Sequence, residues 1–322
     1  MIAKYLRLAL TAALAGCILS AQAQYPERAM KLVAPMAAGG GTDSVARVFA
    51  EKLSGRLGQP VIVENRPGAG GQLGAEIVAH GPADGYTLLF ASSSVLTLPY
   101  LRKTRFELHR DFVPVGQVGV GNFAVVINPK LPYRTLQEFL AAVKAQPGKF
   151  TFGSAGNGSA GHLAGELLKS RAGLDMVHVP FKSSGEITQA LISGTIDCAI
   201  DVLTVQKPQI DAGTVRGLAT TGAARDAALP NLPTVNETRL VPGGYEMTYW
   251  FGLFMPAKTP PAAAERVQKE FAQVMKEPDV AERVRAFSLA PSTLTPAQFQ
   301  ASIVSDSTMW RKVVQDNRIE AN

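Results

Sequence analysis

Cysteine is nearly missing from this chain: its 322 residues include two, Cys17 and Cys198. Cys17 lies in a segment read below as a cleaved export signal, and one remaining cysteine makes no internal disulfide even where the compartment permits them. Cys198 falls in the apolar run 196–200 and reads as a small buried core residue, not a reactive thiol. Histidine is scarce as well. His80, His109, His162 and His178 show no metal-ligand spacing, and no second carboxylate or thiol completes a site, so neither a metal nor a cofactor is expected. No Gly-x-Ser-x-Gly elbow occurs. His162 lies three residues beyond Ser159 with no evident orienting acid, which argues against a secreted Ser/His hydrolase. Lys and Arg never run beyond two neighbours and aromatics are sparse, so a net charge of +6 reads as a mildly basic surface with no nucleic-acid partner.

What is present is ordinary globular material, 46% hydrophobic and 18% charged, in a chain long enough for two domains. Residues 1–23 read as a signal peptide: Lys4 and Arg7 at the start, an apolar middle over 6–19, and Ala21-Gln22-Ala23 as a small-x-small cleavage site. The periplasm is the implied destination. Leu14-Ala15-Gly16-Cys17 resembles a lipoprotein cleavage box, an alternative that would anchor the chain at Cys17. The apolar run continuing past Cys17 to Leu19 favours ordinary cleavage.

Two glycine-rich stretches organise the rest. Val33-Ala34-Pro35-Met36-Ala37-Ala38-Gly39-Gly40-Gly41-Thr42-Asp43 reads as a strand running into a helix over 42–57 that closes near Gly58. Phe152-Gly153-Ser154-Ala155-Gly156-Asn157-Gly158-Ser159-Ala160-Gly161-His162-Leu163 has the same form, with Ser159 able to cap a helix carrying Leu163, Leu167 and Leu168 on one face. Small side chains let backbone amides approach a ligand, and a helix start supplies unpaired donors and partial positive charge. That combination binds anions. Gly156-x-Gly158-x-x-Gly161 also matches a dinucleotide fingerprint, but the acidic residue expected after the next strand is replaced by Phe181-Lys182.

Taken in order, strands are expected at 30–34, 61–63 and 87–91, with helices at 42–57 and before His80-Gly81: a doubly wound α/β pattern whose ligands sit at the strands' carboxyl ends. Two further strands, 113–118 and 123–128, precede a helix over 135–146. Strands at 176–180, 196–201, 215–220 and 248–255 follow, with a helix at 184–193. Three C-terminal helices start near Pro260, Pro278 and Pro296. Domain 1 is then discontinuous, 24–124 plus 246–322, domain 2 is 125–245, and two crossings form a hinge.

These motifs resemble a known family almost end to end. The matching runs are Gly39-Gly40-Gly41-Thr42-Asp43, Val63-Glu64-Asn65-Arg66-Pro67-Gly68-Ala69-Gly70-Gly71, Asp84-Gly85-Tyr86-Thr87-Leu88-Leu89, the Ser154–Leu167 stretch, Val177-His178-Val179-Pro180 and Trp250-Phe251-Gly252-Leu253. The mature chain is similar to the substrate-binding receptors of tripartite tricarboxylate transporters (Bug, or TctC-type). The resemblance implies a type II periplasmic-binding-protein fold, closing like a flytrap on a small carboxylate and delivering it to membrane transporter subunits. It implies a monomer, not an enzyme. Carried over by motif, the ligand contacts are Ala38, Gly39, Gly40, Thr42 and Asp43 on one side and Ser154, Ala155, Gly156, Gly158 and Ser159 on the other. Met36 stands where Phe is usual and Val202 where Asn is usual, so ligand identity does not transfer. A receptor that feeds a membrane sensor kinase is the alternative.

Residue chemistry adds Ser92, Ser93 and Asp201, each at an expected strand end. For Thr42, Asp43, Ser92, Ser93, Ser159 and Asp201, capping or turn chemistry is the competing role. Phe181, Tyr249 and Trp250 are expected to pack in the core or hinge.

Overall fold

The structure is a computed structural model and describes residues 25–316 and residue 319. The export signal and Cys17 lie outside the described residues. The chain opens β1 (Met30–Ala34), α1 (Gly41–Leu57), β2 (Val61–Asn65), α2 (Gln72–Ala79), β3 (Thr87–Ser92), α3 (Ser94–Leu101) and α4 (Leu108–Asp111). A long strand follows, β4 (Phe112–Ile127), then α5 (Leu136–Ala145), β5 (Thr151–Ser154), α6 (Ala160–Ala172), β6 (Val177–Pro180) and α7 (Ser184–Ser193). β7 (Cys198–Val202), α8 (Leu203–Asp211), β8 (Arg216–Thr220) and β9 (Thr248–Pro256) come next. α9 (Pro261–Val274), α10 (Pro278–Ala286), β10 (Leu289–Pro291) and α11 (Pro296–Asp316) finish it.

Local chemistry sets many of these boundaries. Gly58 closes α1 in the left-handed conformation, its amide bonded to the Ser54 carbonyl. Thr135 and Glu138 form a reciprocal capping box at the start of α5. Proline occupies the first turn of α9 and α10, where its missing N–H costs nothing.

The strand order is β2-β1-β3-β9-β4-β7-β5-β6, with β8 and β10 also paired to β4. β1, β2 and β3 are parallel, and so are β5, β6 and β7. β4 joins the two halves. Its residues 112–122 pair antiparallel with β9, and residues 123–127 pair with β7 and β8. In this second half the side chains alternate between two cores: Phe123, Val125 and Ile127 face the large one, Ala124 and Val126 a smaller one with Ile187, Leu191 and Leu203.

β4 corrects the expectation of two separate strands. The run Gly119-Val120-Gly121-Asn122 reads as a break because glycine weakens a strand, yet here each glycine marks a close approach. A Cβ at Gly121 would lie 2.6 Å from the Tyr249 ring, and one at Gly119 2.6 Å from the Ala290 carbonyl oxygen. Helices α3 and α8 go beyond the elements expected from sequence; each carries an internal proline, Pro99 and Pro208, the residue that most strongly argues against a helix.

Thr221 ties the two segments where the chain passes between sheets. Its backbone N–H donates to the Phe123 carbonyl (3.1 Å) and its carbonyl accepts from Met247 N–H (2.9 Å). Its hydroxyl accepts from Phe123 N–H (2.9 Å) and donates to the Met247 carbonyl (2.6 Å). The residue is wholly buried. Thr221→Val keeps the shape and strands two buried backbone groups. We expect a loss of about 1–3 kcal/mol, seen as a melting midpoint several degrees lower; an unchanged midpoint would show that the bridge contributes nothing.

Candidate functional site

A small cavity of about 60 Å³ lies where the strands of both sheets end. By a measure in which one water needs about 10–15 Å³, it holds a few waters or one small acid group. Its polar rim is made by helix starts. After β1, Gly39 turns the chain in the left-handed region (φ 81°) and Gly40 is the N-cap of α1, with no side-chain cap on the helix. Gly40, Gly41 and Thr42 line the cavity. After β5, Ser159 caps α6 by accepting from His162 N–H (3.2 Å), and Ala155, Ser159, Ala160 and Gly161 line the opposite wall. Gly161 is needed there, since a Cβ would sit 2.5 Å from the Ile200 carbonyl oxygen.

Three more helix starts join them. Ser94 opens α3, Ser183 caps α7 by accepting from Glu186 N–H, with Ser184 as its first residue, and Val202 is the N-cap of α8; all four residues line the cavity. Five helices thus present their donor ends to one space. Apolar walls come from Met36, Phe123, Val202, Tyr249 and Phe251, so both departures from the family pattern border the cavity.

Among the lining residues only Lys182 and Asp201 carry side chains that are charged near neutral pH. Asp201 is buried at the end of β7, accepting from Ser184 Oγ (2.9 Å) and Gln206 Nε2 (2.8 Å). Burial pushes its carboxyl up from the ordinary value, against the lowering effect of those bonds and of the Val202 amide.

The other residues singled out from sequence sit around this space. Ser92 lines it and shares a hydrogen bond with Ser94 (2.7 Å). Ser93 is buried beneath, its N–H donating to the Trp250 carbonyl (3.0 Å). Ala38 and Gly39 line an outer recess with Ser183 and Glu186. Asp43 points back into its own loop. Its Oδ2 accepts from Gly39 N–H (2.9 Å) and Arg47 Nε (3.0 Å), and its Oδ1 accepts from Asn65 Nδ2 (3.0 Å). Burial alone would raise its pKa, but the bonds from Arg47, Gly39 and Asn65 outweigh it and leave the net shift downward. Trp250 is core: it packs on Phe299 and its indole N–H donates to Asp306 (2.8 Å). Tyr249 lines the cavity while its hydroxyl bonds Thr204 (2.6 Å), and Phe181 lines the outer recess. Lys182 carries no flag in the sequence, because its place beside the cavity depends on how α7 docks.

Ser154, Gly156 and Gly158 belong to the support beneath the second loop. Ser154 is fully buried, its Oγ donating to the Gly156 carbonyl (3.1 Å) and bonded to His178 Nε2 (2.7 Å). Gly158 N–H donates to His162 Nδ1 (3.1 Å), and the two imidazoles stack at 4.0 Å. No carboxylate orients the Ser154–His178 pair among the described residues, and His162 Nδ1 must stay unprotonated to accept from Gly158. The loop is also held from the first half of the chain: Thr97 Oγ1 donates to the Gly158 carbonyl (3.3 Å) and Arg102 Nη2 to the Asn157 carbonyl (2.7 Å).

Burial, then His162 and Lys169, push His178 down to about 3. Burial likewise lowers His162, with Lys169 and Arg102 helping and Glu166 opposing. Both values lie below the ordinary 6.5, so the neutral pair stabilises the fold fully above about pH 6.5. That contribution is lost as pH falls from 6.5 towards 3. His178→Gln removes one titrating group, and its melting midpoint should fall less steeply than the wild type's across pH 6.5–4. Parallel slopes would show that the stack is not proton-linked.

With this geometry in view, comparison with known proteins is direct. The family model described as "Tripartite tricarboxylate transporter family receptor" matches residues 45–319. A UPF0065 protein from the tcbD-tcbE intergenic region of Pseudomonas sp. strain P51 is 34% identical over 299 residues, 92% of this chain and 89% of its own. The solved periplasmic binding protein BugD superposes with a TM-score of 0.86 at 31% identity, over 92% of this chain and 99% of that one. The R. palustris protein Rpa4515, solved with adipate, gives a TM-score of 0.87 at 30% identity, over 92% and 99%. By family model, relatives and fold together, this chain belongs to the receptors of the tripartite tricarboxylate transporter family, non-enzymatic solute-binding proteins of the two-domain periplasmic type.

Proposed function

We propose that this protein is exported to the periplasm by residues 1–23, captures a small carboxylate between two domains (24–124 with 246–322, and 125–245) and delivers it to a tripartite tricarboxylate-type membrane transporter. The observation that carries this reading is the convergence of five helix starts on one small cavity, with Lys182 as the cation at its edge. Such a site has donors and no activated nucleophile, so it holds an anion and does not transform it. The adipate bound to Rpa4515 is the same class of ligand on a similar frame. Gly40, Thr42, Ala155 and Ser159 are the proposed inner contacts, with Ala38, Gly39, Gly156 and Gly158 shaping the loops. Ser159 is well suited: its oxygen is occupied by His162 N–H, which leaves its own proton for a ligand oxygen.

A thermal-shift screen of protein stripped of ligand by unfolding and refolding tests the reading. A carboxylate at 100 times its Kd adds about 2.7 kcal/mol of stability, a shift of several degrees, whereas the corresponding amide should give none. Ser159→Ala should weaken that carboxylate by roughly 10-fold or more, the weight of a hydrogen bond to a charged group. No shift with any carboxylate would overturn the proposal.

Asp201 sets the pH response. Its folded pKa is raised, so lowering the pH through that value neutralises a carboxylate beside the anion. Affinity should therefore rise as pH falls through that value, until the ligand's own carboxylate protonates at about 4–5. Asp201→Asn should bind tightly and flatly across the same window. An amide flip at Gln206, whose Oε1 has no partner, gives the introduced amide an acceptor and keeps position 201 bonded. A wild-type affinity independent of pH would count against any contact between Asp201 and the bound anion.

A further inference from the structure

A separate cavity of about 370 Å³ shares no lining residue with the inner cavity or the outer recess. It opens between β4, the end of α9 and the loop over 292–295 that leads into α11. Its volume falls within the range of small-molecule sites, about 300–1,000 Å³. Val115, Phe271, Met275, Leu294 and Pro296 give it apolar walls, and Leu294 is exposed. The Phe271 ring reaches β4 because residue 116 is glycine; a Cβ there would collide with it.

The floor of this cavity is polar. β4 carries two bulges here, its register against β9 shifting between Pro114 and Gly116 and again between Gln117 and Gly119. Bulges re-aim side chains and are common beside functional sites. Gln117 sits between them, only 5% exposed, in a stretch where its strand neighbours are apolar or glycine. Its Oε1 accepts from Ser292 Oγ (2.6 Å), and Ser292 Oγ accepts in turn from Leu294 N–H (3.2 Å). The Ser292 proton is thus committed to Oε1, which fixes the amide with Nε2 left to the cavity. Nε2 has no acceptor among the described residues. Buried polar groups are normally bonded, so a donor left over in a side chain this buried asks for a partner.

The charge around the cavity has one sign. Lys276 is the one ionisable residue lining it; it is exposed and forms no ion pair among the described residues. The acids that follow it are engaged elsewhere, Glu277 by Lys52 and Arg56 and Asp279 by Lys52. Pro296 brings the positive end of the 21-residue helix α11 to the same space.

We infer that this cavity is a second ligand site, taking a small monocarboxylate with an apolar body. The acid group accepts from Gln117 Nε2 with Lys276 as its counter-charge, and the body packs against Phe271, Met275 and Leu294. Met275 suits such a wall, since its thioether chain adapts to irregular partners. The site is independent of the cleft and goes beyond the receptor reading above.

Fluorine NMR titration of the refolded protein with para-fluorobenzoate and para-fluorobenzamide tests the assignment. Ala272 lines the cavity and is exposed on α9, so Ala272→Trp fills the space from its edge. The wild type should bind the acid about 5-fold or more tightly than the amide. Ala272→Trp should abolish that component, with a melting curve confirming the fold. Lys276→Gln, an exposed change that leaves the walls intact, should weaken the acid by about 2- to 5-fold and leave the amide unchanged. Acid binding that is the same in the wild type and Ala272→Trp places the probe in the cleft and overturns the second site. So does equal binding of acid and amide, an unaltered acid affinity in Lys276→Gln, or a cavity that holds water and no probe. The carboxylate receptor stands in each case, because neither variant touches a residue lining the inner cavity.

Discussion

Backbone N–H groups at a buried helix start must find an acceptor, and this fold brings five such starts to one cavity. The arrangement follows from topology. β1, β3, β5, β6 and β7 each run directly into a helix or a short loop leading to one, so their carboxyl ends all open on the same space. Doubly wound sheets place ligands at such ends, and here two of them face each other. A main chain arranged in this way favours an anion before any side chain is chosen. Side chains then set how tightly and how selectively it is held.

The glycine loops hold their shape through partners that do not line the inner cavity. Asp43 anchors the first loop through Gly39, with Arg47 and Asn65 neutralising and orienting it. The Ser154, His178 and His162 group anchors the second from below, and Thr97 and Arg102 hold it from across the cleft. Loops rich in glycine are entropically costly to order. A dense set of local bonds is what keeps the amides aimed inward.

Much of this is legible in the sequence, and the failures share a cause. The α1 and α6 starts are readable because glycine, small residues and a cap occur in one contiguous run. α7 is readable from its hydrophobic spacing, and the three C-terminal helices from proline in the first turn. β4 reads as two strands because Gly119 and Gly121 have no local reason to be there; their reason is Ala290 and Tyr249, far along the chain. Pro99 and Pro208 hide α3 and α8, and with them two of the five helix starts. Lys182 has a sequence neighbourhood like any exposed lysine. Its place at the edge of the inner cavity comes from the folded chain alone. Local chemistry is readable from local sequence, while the meeting of distant segments is not.

β4 carries one further implication. It is a full member of both sheets, and Thr221 binds the return segment to it at the junction. Severing it would leave unpaired backbone edges in each half, so neither half is a separable folding unit despite having its own helices and strands. Heat should then unfold the two halves together, in one cooperative transition. The strand that joins the two sheets is thus also what opposes piecemeal unfolding of either one.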